Sequence, residues 1–547
     1  MTVATPLAAQ NGTGRKLHGR EFYQSIGSPK VILAPMVDQS EFAWRMLSRS
    51  FMPTESSKDL LAYTPMFHAR LFADGHPYRQ SMFQPTRSSM PSPPDPYHQS
   101  QLQEADLHLD GNPSIDRPLF VQFCANDPDV LLDAARHVQS YCDAVDLNLG
   151  CPQGIAKKGH YGAFLQEDQD LIYRLVNKLH TGLDIPVTAK MRILDTKEKT
   201  LEYARMLLSA GASIITVHGR RREQKGHNTG VADWAMIKFL RENLPTETVL
   251  FANGNILQHE DIKICLDATG ADGIMSAEGN LRDPSIFAPP PPVGQEGREY
   301  WRGRDGKGGY RLDATLRRYL DIIYQHVFEQ PPPERKHLFL PSDPPEHSAH
   351  LLHANLEHVP APDKKAKKGY KSIPVHLRSN PNLGAMQPHL FQMLRPLITE
   401  HKSIRSALAA CISGDMPAFE NILFMVEVVT REGLLAYEQN PAQFESTKQE
   451  EDMPNLESLS LDAHENSLMT AERVKRPWWV CQPHVRPLPS EAFAKGAMTV
   501  GKKETKRMAK EETAAKEAGA HPDGTTEVVQ DSAESEIEVP KEGTVCG

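Results

Sequence analysis

The chain has 547 residues, of which 39% are hydrophobic and 43 are proline, so it has room for a large domain, a second domain and much irregular structure. The formal net charge of −9 lies mostly between residues 437 and 547, so the near-neutral remainder does not exclude a nucleic-acid partner. No apolar run is long enough to span a membrane, and the scattered cysteines and histidines lack disulfide or metal-site spacing, so we expect no metal and a reducing compartment.

The N-terminal residues 1–24 contain no acidic side chain before Glu21 and no apolar stretch of the kind found in secretory signals. We predict a disordered leader here. A transit peptide is the alternative, because the basic side chains of this stretch lie in a nearly acid-free segment.

Between residues 25 and 287, short apolar runs alternate with amphipathic helical patterns. The predicted strands are Val31–Met36, Leu60–Thr64, Leu119–Cys124, Ala144–Leu149, Pro186–Met191, Ser213–His218, Thr248–Ala252 and Gly273–Ala277. Strands that are apolar throughout are typical of a parallel sheet covered by helices. Eight such units predict the α/β class and a (β/α)8 TIM barrel. An open doubly wound sheet is the alternative, although no GxGxxG motif follows the first strand.

Several other segments interrupt or follow this pattern. Residues 84–117 are rich in Pro, Ser and Gln and predict a surface insert, and residues 288–311 predict a linker. Residues 312–437 predict a small all-α helical domain, with helical patterns over Leu312–Glu329 and Gln387–Tyr437 and a disordered insert at 330–381. We predict that the polar tail 438–547 is mostly disordered.

Polar residues and glycines follow most of the predicted strands, at the end of a TIM barrel where active sites lie. In strand order, they are Pro35, Met36 and Val37; Gln122; Asn148 and Cys151; Lys190 and Arg192; His218 and Arg220; Asn253, Gly254 and Asn255; and Ala277 and Glu278. The sequence therefore predicts one active site on the rim formed by the carboxyl ends of the strands.

Three of these residues indicate chemistry. Cys151 lies between Gly150 and Pro152, which suits a thiol presented on a loop, although a buried structural thiol is the alternative. Lys190 lies in an otherwise apolar strand and needs an anion, an electron-rich ring or a carboxylate there. His218 at a strand end indicates function, with a satisfied core histidine as the alternative.

The glycine turns after the last two strands are where barrels commonly bind a phosphate. A phosphate site, a lysine beside a ring, amide groups and a thiol together suggest flavin mononucleotide (FMN). Lys190 and His218 would then face the flavin N1–C2 region, where negative charge accumulates on reduction. Gln122 and the Pro35–Val37 backbone would satisfy the polar edge of the ring.

The sequence resembles the tRNA-dihydrouridine synthase family, most closely the branch that modifies D-loop positions 16 and 17. The resemblance covers roughly residues 25–287 and, more weakly, Gln387–Tyr437. It is carried by the segments VILAPMVDQSEFAWRML, YTPMFHARLF, RPLFVQFCANDP, DAVDLNLGCPQGIAKKGHYGAFL, VTAKMRI, TVHGRRREQKG, FANGNI and GIMSAEG.

The resemblance implies that NADPH (or NADH) reduces the flavin, which then gives a hydride to C6 of a uracil in tRNA. Cys151 matches the general acid that protonates C5. The residues that match the flavin site are Pro35, Met36, Val37, Gln122, Lys190, His218, Asn253, Gly254, Asn255, Ala277 and Glu278. Asn148 and Arg192 are expected to position the uracil or the flavin.

The resemblance also implies a tRNA partner, bound by the helical domain with its target base flipped out. We expect Arg220, Arg221 and Arg222 to bind tRNA phosphates on the rim, with an ordinary solvated loop as the alternative. We expect a monomer in the cytoplasm. The basic run Lys364–Lys368 raises a nuclear location as an alternative, and an exposed linker as another.

Two rival functions share parts of this interpretation. A flavin-barrel oxidoreductase acting on a free pyrimidine or another small enone would need neither a basic rim nor the helical domain. A non-catalytic RNA-binding protein would not need Cys151, Lys190 and His218, all of which are present.

Overall fold

Eight parallel strands close into a barrel in the computed structural model, which describes residues 15–53, 59–87, 107–346, 379–445 and 467–486 together with positions 351, 374 and 377. The barrel strands are β1 (Val31–Leu33), β2 (Leu60–Tyr63), β4 (Leu119–Cys124), β5 (Ala144–Leu149), β6 (Val187–Arg192), β7 (Ile214–His218), β8 (Val249–Asn253) and β9 (Gly273–Ser276). A two-residue strand, β3 (Phe67–His68), follows β2 and pairs with β4. Because β9 also pairs with β1, the sheet closes, and the predicted TIM barrel is confirmed.

Every residue of the eight barrel strands is buried, as the uninterrupted apolar runs predicted. The covering helices are α1 (Gly19–Ser25), α2 (Phe42–Ser50), α3 (Ala69–Asp74), α4 (His76–Met82), α5 (Pro128–Arg136), α6 (Gly154–Gly159), α7 (Gln169–Gly182), α8 (Lys197–Ser209), α9 (Trp234–Asn243), α10 (Glu260–Thr269) and α11 (Glu278–Arg282). Gly270 ends α10 with a φ of 66°, a left-handed conformation that suits glycine at a helix C-terminus.

Part of the predicted disordered leader is ordered. Helix α1 buries Phe22 and Tyr23 completely or almost so. The Tyr23 hydroxyl lies 3.0 Å from the carbonyl oxygens of Pro29 and Asp272. The prediction of disorder was therefore wrong from Gly19 onward, because two aromatic side chains bury enough apolar surface to order this turn. Residues 1–14 lie outside the described part of the chain.

The end of the predicted insert 84–117 is also part of the folded core. Arg45 of α2 is fully buried, and its guanidinium contacts Asp110 at 2.7 Å and Asp116 at 2.6 Å. Two carboxylates around one buried guanidinium compensate its loss of hydration. The surface-insert prediction is thus wrong for residues 107–117, whereas residues 88–106 lie outside the described residues.

The predicted linker contains an antiparallel hairpin of β10 (Tyr300–Arg302) and β11 (Gly308–Tyr310). The helical domain follows as α12 (Leu312–Ile322), a π-helical turn (Ile323–Val327), α13 (Pro381–Met393), α14 (Arg395–Glu400), α15 (Lys402–Ala410), α16 (Met416–Gln439) and α17 (Ser467–Arg473). The Asp415 side chain accepts the N–H of Ala418 at 3.2 Å and so begins α16 within the predicted helical segment Gln387–Tyr437. Both helical predictions are confirmed.

The predicted disordered insert 330–381 is ordered at its start, where Arg335 contacts Glu420 of α16 at 2.8 Å and Phe339 is 9% exposed. Its end is also folded, because α13 begins at Pro381. The basic run Lys364–Lys368 lies outside the described residues.

The tail returns to the folded body between residues 467 and 486. Trp479, Val480 and Cys481 are fully buried, and the Cys481 N–H donates to the carbonyl of Tyr310 in the hairpin at 2.8 Å. Trp479 packs over Gly433 of α16, where a β-carbon would lie 2.5 Å from the indole ring. The prediction of a disordered tail is wrong for this segment, because two adjacent tryptophans supply a large apolar area. Residues 487–547 lie outside the described part of the chain.

The barrel and the helical domain are joined through a buried contact between α2 and α13. The ring of His389 stacks on Trp44 with centroids 3.8 Å apart. Its Nε2 lies 3.0 Å from the carboxylate of Glu41, and all three side chains are almost completely buried. The helical domain is therefore packed against the loop and helix that follow β1.

Candidate active site

Hydrogen bonds with three residues, Asn148, Arg192 and Ala163, hold the loop after β5 around Cys151. The Asn148 side-chain oxygen accepts the N–H groups of Gly150 and Cys151 at 3.0 and 2.9 Å. Arg192 donates from Nε to the Gly150 carbonyl at 2.6 Å, and Ala163 donates its N–H to the Cys151 carbonyl at 3.1 Å. These contacts fix the turn that carries the thiol.

The Cys151 side chain is buried beside Cys124, Ala156 and Tyr161. Gly162 passes so close that a β-carbon there would lie 2.9 Å from Cys151 Cβ, and its φ of 64° also favours glycine. The thiol thus lies in an apolar pocket with tight walls, where few alternative side-chain positions are open to it.

A chain of buried hydrogen bonds supports this turn from below; we call Thr188, Asp146, Gln122 and Asn148 the polar chain. Thr188 donates to Asp146 at 2.6 Å, Gln122 donates to Asp146 at 2.8 Å, and Asn148 donates to Gln122 at 2.8 Å. Burial raises the pKa of Asp146 to about 6, and the two hydrogen bonds it accepts limit this rise. The order of donors fixes the Asn148 amide so that its oxygen faces Cys151.

A cluster of buried basic residues lies beside the polar chain. Lys190, His218, Arg192 and Arg220 are 3–4% exposed on the ends of β6 and β7 and the loop after β7. The pKa of His218 is well below its ordinary value because burial and the neighbouring cations disfavour the imidazolium. Arg220 donates to His218 Nε2 at 2.9 Å, so the neutral ring carries its proton on Nδ1.

The ends of β8 and β9 form a basic corner next to His218, with a small cavity of about 20 Å³. Its lining includes Arg220, Asn253, Gly254, Asn255, Ser276, Ala277, Glu278 and Arg486. Gly254 has a φ of 110°, and a β-carbon there would lie 2.7 Å from Ala232 Cβ, so only glycine fits. The buried Asn253 Oδ1 accepts no hydrogen bond from any described residue, so this corner has an unused polar group.

Several predicted site residues form hydrogen bonds within the protein that hold the loops of the site. The Gln122 amide bonds to Asp146 and Asn148, and Arg192 bonds to the Gly150 carbonyl, so both hold the Cys151 turn. The Met36 N–H donates to Ser40 at 3.0 Å within the loop after β1, whose Pro35 is buried and Val37 half-buried. The Met36 N–H of this loop is therefore already used in a hydrogen bond within the loop.

The three arginines after β7 occupy different surroundings. Arg220 is buried in the basic corner, whereas Arg221 is exposed. Arg222 contacts Glu167 at 2.5 Å and Glu223 at 3.2 Å, and it lies over the Phe164 ring. Only Arg221 of these three therefore presents an exposed side chain to a ligand outside the barrel.

Sequence reasoning missed two contributors to this rim. Asp146 is a carboxylate inside an apolar strand. A charged residue inside an apolar strand is the signal that identified Lys190, so the sequence could have identified Asp146 as well. Arg486 lies more than 200 residues beyond the barrel strands in sequence, and no local pattern connects it with β8 and β9.

Within the described residues, no helix is long and apolar enough to cross a membrane. No group of three or more His, Cys, Asp or Glu side chains in the same residues is placed to hold a metal ion.

The fold and rim define a TIM-barrel enzyme with a thiol, a lysine and a neutral histidine beside a basic corner. Residues 32–295 match the family model described as dihydrouridine synthase. The chain is 42% identical over 475 residues to the tRNA-dihydrouridine(16/17) synthase of Schizosaccharomyces pombe, covering 87% of this chain and 92% of that protein. It belongs to the dihydrouridine synthase family.

Two further relatives have similar extents. The tRNA-dihydrouridine(16/17) synthase of Saccharomyces cerevisiae is 41% identical over 490 residues, which cover 89% of this chain and 91% of that protein. A protein of Mus musculus named tRNA-dihydrouridine(16/17) synthase-like is 34% identical and is covered to 72%. The names of all three also contain NAD(P)(+). The similarity extends through the helical domain as well as the barrel.

Proposed function

We propose that this protein reduces the C5=C6 bond of uridine in the tRNA D-loop to 5,6-dihydrouridine, at positions 16 and 17, with FMN as cofactor and NAD(P)H as reductant. The observation that carries the proposal is that the fixed Cys151 turn follows β5 at the same carboxyl end of the barrel as Lys190, His218 and the basic corner. The names of the 41–42% identical relatives support the substrate and the two positions.

The charges of the rim residues suit FMN. The corner has two buried guanidiniums and a glycine that allows close approach, as a phosphate needs. Lys190 would stabilise negative charge on the ring, and the Nδ1–H of neutral His218 is a donor. When bound, the flavin would supply the hydride that it has received from NAD(P)H.

Cys151 would complete the reduction as a general acid. Its S–H bond breaks as a C–H bond forms at C5, while C6 gains the hydride, and the thiolate then takes a proton from solvent. A thiol with an ordinary pKa of about 8.5 is mostly protonated at neutral pH and suits this role. Asn148 and Arg192 would be positioning residues, since both hold the Cys151 turn.

The target base must leave the tRNA stack to reach the barrel mouth, because C5 and C6 are otherwise shielded. The helical domain would bind the tRNA, and exposed Arg221 would contact a phosphate at the rim. We propose that one monomer binds one tRNA.

The test is reduction of unmodified tRNA by the purified full chain with NADPH, followed by position-by-position mapping of dihydrouridine. We expect product at positions 16 and 17 and at least about a hundredfold lower turnover of free uridine, since tRNA binding energy positions the base. Equal turnover of free uridine would instead support an oxidoreductase for small pyrimidines or enones, and product only at other positions would contradict the assigned sites.

A further inference from the structure

The C-terminal segment 467–486 reaches the carboxyl end of the barrel at its last residues. The His484 N–H donates to the Leu257 carbonyl at 3.3 Å, in the loop after β8. Two residues later, Arg486 lines the basic corner beside Arg220, Asn253 and Glu278. The segment therefore adds a cation to a corner that is otherwise built from the barrel.

Arg486 is held in the corner in a buried state. Its side chain is 13% exposed and forms an ion pair with Glu278, the first residue of α11. Its Nε is buried and has no hydrogen-bond partner among the described residues. Burial lowers the pKa of Arg486 to about 10, so the guanidinium remains charged at neutral pH.

The charges around this corner do not balance. Lys190, Arg192, Arg220 and Arg486 all lower the pKa of His218 through their charge. Among the side chains that line the corner, the Arg220 and Arg486 guanidiniums are accompanied by one carboxylate, Glu278, so an anion such as a phosphate monoester would offset the excess positive charge.

Arg220 shows the same need for an anion. Its hydrogen bonds run to the Gly230 carbonyl, the Asn255 side chain and His218 Nε2, all neutral acceptors. Arg486 lies close enough to lower the pKa of Arg220 further. Two buried guanidiniums in one corner repel each other, and an anion between them converts that repulsion into attraction.

We infer that Arg486 binds the phosphate of FMN, so that the C-terminal segment completes a cofactor site begun by β8 and β9. The inference rests on the proposed function, which supplies the cofactor. Glu278 orients the Arg486 guanidinium through its carboxylate, and Arg220 contacts the phosphate from the barrel side. The buried Trp479 segment holds Arg486 in place, which couples the fold of the helical domain to cofactor retention.

The test is titration of the flavin-free full chain with FMN and with riboflavin, which lacks the phosphate, followed by the change in flavin fluorescence. We expect Arg486→Ala to weaken FMN binding at least about tenfold, because a charge-assisted contact to phosphate is lost. Riboflavin binding should change less than about twofold, as the ring contacts are intact. Arg486→Lys should bind FMN with intermediate affinity.

Arg473→Ala is the matched control, because this arginine lies on α17 of the same segment and does not line the corner. We expect it to bind both flavins like the wild-type chain. Unchanged FMN affinity in Arg486→Ala, or an equal loss for both flavins, would overturn the phosphate contact. A wild-type chain that binds neither flavin would contradict the proposed function itself, which separates the two failures.

Discussion

The Asn148 side-chain oxygen accepts the Cys151 N–H at 2.9 Å, so a residue inside β5 sets the direction of the turn that carries the thiol. The Asn148 amide is itself oriented, because its nitrogen donates to Gln122. The position of a reactive side chain on a loop thus depends on hydrogen bonds that begin deep in the barrel.

Asn148→Ala is expected to lower kcat by about ten- to a hundredfold with a smaller change in KM. The uracil would still bind, but the displaced Cys151 thiol would protonate it poorly. Asn148→Asp keeps the acceptor for the Cys151 N–H but loses the donor to Gln122, and we expect an intermediate rate. Steady-state kinetics on unmodified tRNA give both constants. A variant that raises only KM would indicate that Asn148 binds substrate instead of positioning Cys151.

Asp146 is expected to make stability depend on pH. Its folded-state pKa of about 6 is higher than that of an unfolded Asp, so the folded state binds the proton more tightly. This contribution to stability is present below about pH 4 and is lost as the pH rises through about 6. The free energy of unfolding of Asp146→Asn should not fall in this way as the pH rises, because asparagine does not ionise.

Urea unfolding of the wild-type chain and Asp146→Asn at pH 5 and pH 7 measures the difference. We expect the free energy of unfolding of the wild-type chain to fall relative to that of the variant between these values, by about 1–2 kcal/mol. The same pH dependence in both proteins would show that Asp146 ionises with an ordinary pKa.

Arg221 and Arg222 provide a matched pair for the tRNA surface. Arg221→Ala should weaken tRNA binding and lower the slope of log affinity against log salt by about one, because one phosphate contact is lost. Arg222→Ala should have less effect, since Arg222 is already paired with Glu167 and Glu223. Binding isotherms at several salt concentrations check both, and a larger effect of Arg222 would contradict the assignment.

His389→Ala should destabilise the joint between the barrel and the helical domain. The substitution removes a ring stacked on Trp44 and leaves the buried Glu41 carboxylate without its histidine partner. We expect a loss of about 3 kcal/mol in the free energy of unfolding. Urea unfolding followed by tryptophan fluorescence measures it, with His337→Ala, outside this joint, as the control. Equal free energies of unfolding for His389→Ala and the wild-type chain would mean that the joint does not depend on the contacts of His389 with Trp44 and Glu41.

The barrel could be predicted from the sequence because strands covered on both sides are continuous apolar runs such as Leu119–Cys124. Cys151 and His218 could be found because they follow or end such runs, and Lys190 because it is a charged residue inside one. The ordering of α1 and of the Trp479 segment depends on apolar partners distant in sequence, so local polarity misled the prediction. For the same reason, Arg486 became a candidate only when the chain was folded.

The most direct test of the account compares the wild-type chain with Cys151→Ala in a single turnover on unmodified tRNA, each protein first loaded with flavin and reduced by NADPH. We expect the wild type to form dihydrouridine at positions 16 and 17, and the variant to bind flavin normally but react at least about a hundredfold more slowly. Wild-type turnover by Cys151→Ala would contradict the central claim that this thiol protonates C5.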